Sequence, residues 1–329
     1  GDTSGTVTVS NNINITGTSA AIATAVGDVN TFSGTPTAAL SNAHTLAQLK
    51  TINDAIDGQL TLTDYTVALS GTSEQVAAAL DGTFASTYTG AATVSDAHTL
   101  DQLKTINNGT SGTITLNDVS VALTGSTADV KAALDGTFAA AYTGNVTLND
   151  SNGTGIAASD ISTIAGDTSG TVTVSNNINI TGTAAEITTA VGDVNSFSGT
   201  PTATLSNAHT LAQLKAINNA VDGTLTLNDV TVALVGSAAD IKAALAGTFA
   251  AGYTGNVTIT DADGTEIAAT DISTIAGDTA GTVTVQNNIN ITGTAAEITT
   301  AVGDVNTFSG TPTTTLSTAH TLSQLATIN

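Results

Sequence analysis

The string GDTSGTVTVSNNINITGT occupies residues 1–18 and recurs, letter for letter, at 166–183; it returns as GDTAGTVTVQNNINITGT at 277–294. The copies thus begin at positions 1, 166 and 277, and the first interval exceeds the second by 54 positions. That excess is itself a repeat length, because AHTLAQLKTIN at 43–53 comes back as AHTLDQLKTIN at 97–107. A 111-residue period has been lengthened by one 54-residue block lying within 43–96. Self-similarity on this scale marks a repeat architecture, in which each unit buries its apolar face against the next copy. The chain therefore reads as one continuous array over 1–329, with long repeats beginning at 1, 166 and 277.

Within one period, 166–276, strand and helix signatures alternate. In TVTVSNNINIT (171–181), Val172, Val174, Ile178 and Ile180 alternate with polar residues, which predicts two short half-buried strands meeting at a Ser175-Asn176-Asn177 corner. In TAAEITTAVGDVNSF (183–197), Ile187, Val191, Val194 and Phe197 fall on one helix face. Thr183 and Glu186 fit a capping box, and Gly192 weakens the helix near its end. TATL (202–205) predicts a strand and HTLAQLKAINNAV (209–221) a helix. In GTLTLNDVTVAL (223–234) the inward parity changes at Asn228-Asp229, which demands a bulge or turn. SAADIKAALAGTFAAGY (237–253) predicts a helix, VTIT (257–260) a strand and IAATDISTIAG (267–277) a helix, with Ala268, Ile272 and Ile275 inward.

The expected fold is an α/β solenoid of short parallel strands alternating with short helices, about 27 residues per pair, since parallel strands need a crossover and the helices supply it. Either the 27-residue pair or the 54-residue block could form one coil. A lone unit buries too few aliphatic side chains to offset its ordering entropy, so stability must come from stacking. Gly1 and Asn329 both fall inside the pattern, and neither carries a polar cap, so the 329 residues are expected to be a window of a longer chain.

Composition narrows the function classes. The apolar residues make up 40% of the chain but the aromatic ones only 3%, which predicts a thin, regular aliphatic core. A net charge of −22, from 27 acidic residues against five lysines and no arginine, disfavours nucleic acid and anionic lipid as partners. Without cysteine there is neither a disulfide nor a thiolate metal site. No run of 18 apolar residues predicts a membrane insertion.

The candidate sites recur with the unit. Histidines 44, 98, 209 and 320 all sit in AHTL, where a pH- or metal-sensing ladder competes with a simple first-turn position repeated because the unit repeats. Asp261, Asp263 and Glu266 crowd one acidic turn and could supply part of a calcium shell, although the turn is shorter than an EF-hand loop. Thr-x-Thr pairs such as Thr202/Thr204 and Thr258/Thr260 would form outward threonine ladders of the ice- or mineral-binding kind. Asn176, Asn177, Asn287 and Asn288 could stack as an amide ladder. Phe84/Tyr88, Phe138/Tyr142 and Phe249/Tyr253 are read as i, i+4 core pairs at helix ends. No catalytic constellation stands apart from the repeats, which argues against an enzyme.

Strings such as TVTVSNNINITGTAAEI, AHTLAQLKAIN and GSAADIKAAL resemble the Thr/Asn/Asp/Ala-rich repeat arrays of giant secreted bacterial proteins, marine and cyanobacterial surface and extracellular fibre proteins among them. The resemblance covers the whole chain and carries no site residues. It implies an extracellular or cell-surface location and a non-enzymatic structural role, a filament or stalk whose partner is itself. Its alternatives are the repetitive region of an adhesin or surface-layer protein and an ice- or mineral-binding ladder.

Overall fold

The computed structural model describes residues 4–329, so the first three residues of the opening repeat lie outside it. Among the described residues there are twelve helices: α1 Ser19–Gly27, α2 Leu46–Ala55, α3 Ser73–Leu80, α4 Leu100–Gly109, α5 Thr127–Leu134, α6 Ala158–Asp167, α7 Ala184–Asp193, α8 Leu211–Ala220, α9 Ala238–Leu245, α10 Ala269–Asp278, α11 Ala295–Asp304 and α12 Leu322–Ile328. Short strands of two to four residues separate them, and every strand pairing is parallel. This is the α/β solenoid-like repeat that the alternating periodicities predict. The chain divides into two compact units, Gly1–Asp150 with Thr163–Val174 and Ser151–Ser162 with Ser175–Asn329.

The strand register settles the size of the coil. Paired strands lie one coil apart, Ala92 facing Ile114 and Val146 facing Val172, so each strand–helix segment makes one coil and the 54-residue block makes two. Helices recur at a longer spacing than most paired strands, as their first residues Ser19, Leu46, Ser73 and Leu100 show. The strands therefore drift relative to the helices. In the first unit one ladder runs from Asn14–Gly17 through Thr37–Leu40 and Leu60–Thr61 to a bridge at Phe84. A second begins at Leu69–Gly71, just before α3, and runs through Ala92–Val94 and Ile114–Thr115 to Phe138. In the second unit, ladders starting at Gly155–Ala157, Leu234–Gly236 and Glu266–Ala268 behave the same way. Each starts directly before a helix and slides toward the far end of the coil as it climbs.

Consecutive helices stack, α1 to α5 in the first unit and α7 to α12 in the second. The core lies between this helix row and the strands. It is aliphatic, with Leu49, Ile52, Leu214, Ile217, Ile187 and Ile272 on helices and Val174, Ile180 and Leu225 on strands all fully buried. Helix starts are fixed by capping boxes at Thr45/Gln48, Thr72/Gln75, Thr99/Gln102, Thr183/Glu186, Thr210/Gln213, Thr294/Glu297 and Thr321/Gln324. In each, the threonine hydroxyl accepts the N–H three residues on and the Gln or Glu side chain accepts the cap N–H.

Three expectations change. The helix expected over 237–253 ends at Leu245, because Gly247 follows and the Asn218 side chain of the neighbouring coil fills the space beside it. The helix expected over 183–197 ends at Asp193, just past Gly192, so Val194 is its extended C-cap and Phe197 lies in a short strand. Ala268 belongs to a strand and is exposed, and Ala269 takes the inward place. The Asn228-Asp229 turn forms as expected, with the Thr231 N–H donating to Asp229 Oδ1 at 2.8 Å.

Two glycines separate close packing from helix propensity. A Cβ on Gly144 would overlap the Val121 carbonyl oxygen of the preceding coil, whereas a Cβ on Gly192 would meet nothing within 4 Å. Gly144→Ala is therefore expected to cost about 2 kcal/mol or more. Gly192→Ala is expected to add up to about 1 kcal/mol by helix propensity alone. Urea denaturation followed by circular dichroism measures both.

Candidate functional site

Four helix classes recur in the chain. The TGT helices (α1, α7, α11) follow Thr-Gly-Thr, the AHTL helices (α2, α4, α8, α12) follow or open within that string, the AAL helices (α3, α5, α9) carry Ala-Ala-Leu, and the DIST helices (α6, α10) carry Asp-Ile-Ser-Thr. The polar groups that recur with them converge on the AAL coils.

An AAL helix has eight residues and is held at both ends by its neighbours. At the N-terminus its first amide donates to a carboxylate 23 residues on: Ser73 N–H to Asp96 Oδ1 at 2.7 Å, Thr127 N–H to Asp150 Oδ2 at 2.9 Å and Ala238 N–H to Asp261 Oδ2 at 2.7 Å. A helix leaves its first amides without internal partners, and an anion there also meets the positive end of the helix dipole. At the C-terminus an asparagine of the preceding AHTL helix caps a carbonyl. Asn53 Nδ2 donates to Ala78 O at 2.9 Å, and Asn107 and Asn218 donate to Ala132 O and Ala243 O at 2.8 Å. Gly82, Gly136 and Gly247 make room, because a Cβ there would overlap the asparagine Oδ1.

A buried His–Tyr pair spans the same coil. His44 Nε2 lies 3.0 Å from Tyr88 Oη, His98 Nε2 3.2 Å from Tyr142 Oη and His209 Nε2 3.3 Å from Tyr253 Oη. Each tyrosine hydroxyl donates its one proton to a carbonyl of the intervening coil, Val67, Val121 or Val232, at 2.6 Å. The histidine must therefore donate, which fixes the Nε2–H tautomer and leaves Nδ1 as a bare lone pair. In all three cases Nδ1 is buried with no hydrogen-bond partner. The histidines precede the helix N-cap rather than sitting in its first turn. His320, in the fourth AHTL string, is exposed. The tyrosines are core residues, as expected, but not on helices: Phe84, Phe138 and Phe249 form strand bridges beyond the helix ends.

Burial holds the three histidines below the ordinary imidazole pKa. Asp64, Asp118 with Asp96, and Asp229 pull the other way more weakly. Burial also raises the three tyrosine hydroxyls above their usual range, with the nearby Asp64, Asp118 and Asp229 adding to it. The carboxylates of Asp64, Asp118 and Asp229 are held low by the hydroxyl and amide of Thr66, Ser120 and Thr231, which both donate to them.

The other candidate residues lie apart from this cluster or serve it. Asp261 caps α9, and Asp263 Oδ1 accepts the Asn288 N–H at 2.9 Å. Glu266 stands exposed at the start of a strand. The three are not gathered, and no group of three His, Asp or Glu side chains able to hold a cation occurs among the described residues. Threonine ladders do form, as in Thr124–Thr147–Thr173 and Thr181–Thr204–Thr226. Their hydroxyls are partly engaged: Thr202 and Thr204 both donate to Asn179 Oδ1 at 3.2 Å. The corner asparagines bridge to backbone rather than to one another, Asn177 Oδ1 accepting Thr200 N–H and Asn288 Oδ1 accepting Thr311 N–H. No helix among the described residues is long and apolar enough to cross a membrane. No family model matches the chain, and no curated protein matches it.

The proton-linked change these histidines offer is protonation at Nδ1, which would place an N–H without an acceptor in the core. The unfolded histidine takes up protons as pH falls through 6.5, and the folded one resists until lower pH. Stability is therefore full above that value and declines below it. Denaturation midpoints from pH 7.5 down to 5 are expected to show this slope, and His98→Gln is expected to reduce it. Tyr142→Phe strands the Nε2–H and the Val121 carbonyl together and is expected to cost about 1–3 kcal/mol per stranded group.

Proposed function

We propose that the chain is a non-enzymatic structural protein, a segment of a filament or stalk whose function is to extend by stacking coils of its own kind. The observation that carries this reading is the repetition of the inter-coil bonds. The groups that would mark a site in an enzyme, a buried histidine beside a tyrosine and a carboxylate, occur three times with the same partners and each time tie one coil to the next. Contacts of this sort make stability the sum of coil and interface contributions, so length is free to vary. The acidic surface suits solubility and mutual repulsion along the sides of a fibre. A location outside the cell rests on composition and on the likeness to secreted repeat arrays.

Stacking of like coils is the interaction this reading turns on. Where an AHTL helix has a successor its face is covered: Leu49 and Ile52 of α2 and Leu214 and Ile217 of α8 are fully buried. A repeat face of this kind pairs with more of the same, and a head-to-tail contact that does not close yields a fibre. Electron microscopy of the native material is expected to show long uniform fibres. Compact, non-fibrous particles overturn the reading.

Calcium enters as an accessory. The ion takes oxygen ligands, and to hold it the turn would have to draw Asp261, Asp263 and Glu266 together, the first two giving up amide bonds they already accept. A melting temperature that falls on adding chelator assigns the ion a role in the array, and an unchanged one removes it.

A further inference from the structure

The four helix classes do not stack in arbitrary order. Inside each unit every AHTL helix that has a successor is followed by an AAL helix: α2 by α3, α4 by α5 and α8 by α9. Each of these junctions has the same parts. The AHTL asparagine, Asn53, Asn107 or Asn218, reaches a carbonyl of the AAL helix across Gly82, Gly136 or Gly247. The AHTL histidine is closed over by the tyrosine that follows the AAL helix. The AHTL strand, such as Thr202–Leu205, pairs onward with a short Leu-Thr or Ile-Thr strand that opens the AAL coil, such as Leu225–Thr226.

The other classes lack those parts. Counting from the first helical residue, the tenth position is glycine in α3, α5 and α9 (Gly82, Gly136, Gly247). It is aspartate in the TGT helices α1, α7 and α11 (Asp28, Asp193, Asp304) and in the DIST helices (Asp167, Asp278). The asparagine oxygen occupies the space where a Cβ would stand, so an aspartate there collides with it. The sixteenth position is tyrosine after the AAL helices (Tyr88, Tyr142, Tyr253). After the TGT helices it is glycine (Gly34, Gly199, Gly310) and after the DIST helices threonine (Thr173, Thr284), neither of which can reach a histidine.

The α12 coil carries the AHTL half of this junction. Leu322, Asn329 and His320 are all exposed, whereas their counterparts in the α8 coil are half-buried (Leu211, Asn218) or buried (His209). We infer that an AHTL face, that of α12 included, is selective for the coil that follows it and accepts an AAL coil, one bearing glycine at its tenth helical position and tyrosine at its sixteenth, but not a TGT coil. The inference rests on the reading of the array as a stacking polymer and names which coil continues it.

The test extends the full chain at Asn329 in two ways, with a copy of residues 219–278 (AAL then DIST) or with a copy of residues 168–220 (TGT then AHTL). Hydrogen exchange of the α12 amides is the readout. The first extension is expected to slow exchange by about tenfold or more and the second to leave it unchanged. Gly247→Asp within the appended copy is expected to abolish the protection. Equal protection by both extensions overturns the selectivity. A second measurement needs no extension. Gly136→Asp in the 329-residue chain is expected to lower the unfolding midpoint, and Asn107→Ala in the same chain to restore part of it; absence of rescue also overturns the inference. Concentration-dependent protection of α12 in the unextended chain, where the first coil of a second copy is a TGT coil, also overturns the selectivity. Protection by neither extension overturns the stacking reading itself.

Discussion

A helix of eight residues cannot satisfy its own ends, and the AAL helices depend on their neighbours to do it. The Asp–amide bond at one end and the Asn–carbonyl bond at the other come from different coils, 23 and 25 residues away in opposite directions. Exposed, the orphan groups would be hydrated; in a stacked array they are withdrawn from water and must be paired within the protein. The aliphatic core supplies most of the driving force, but it is indifferent to which coil lies next. The paired ends are what make the stacking specific, and the His–Tyr–Val bond chain reinforces the same coil from inside.

Charge follows the same division. Lys104 meets Asp129 at 2.7 Å, Lys215 meets Asp240 at 2.5 Å, and Lys242 meets Asp271, each joining adjacent coils, while Lys50 stays on its own helix with Asp54. These pairs are largely exposed and contribute little to stability. They still place scarce cations at coil boundaries on a strongly acidic chain, where they relieve repulsion between stacked carboxylates.

The architecture was legible because periodicity is a local property: alternating Val172 and Val174, or Leu214 and Ile217 one helical turn apart, announce their elements directly. The Thr-x-x-Glu and Thr-x-x-Gln caps were equally local. What escaped was set by the neighbouring coil. The helix at 238 stops early because Asn218, on the helix before it, fills the space beside Gly247. His209 reads as a helix-start residue until Tyr253, 44 residues on, is seen to cover it. Each AHTL histidine does precede a tyrosine at a constant spacing, but in a repeat array every recurring pair does, so the spacing did not single out this contact. Asp261 was noticed for its charge, and its cap on Ala238, 23 residues back, could not be seen from its own turn.

The drift of strands against helices has a consequence for how such a chain varies. Among the described residues no ladder runs the length of a unit; the longer ones start before a helix, span a few coils and hand over to the next. Around α3 the Leu60–Phe84 and Leu69–Ala92 pairings overlap, and around α5 the Ile114–Phe138 and Leu123–Val146 pairings do the same. From α3 to α5 the handover recurs after two coils, which is the length of the extra block. Unequal exchange between near-identical copies can thus insert or delete two coils and return every ladder, cap and His–Tyr pair to an equivalent partner. Variation in length is the mutation this fold absorbs most readily, and the extra block within 43–96 has the form such an event would leave.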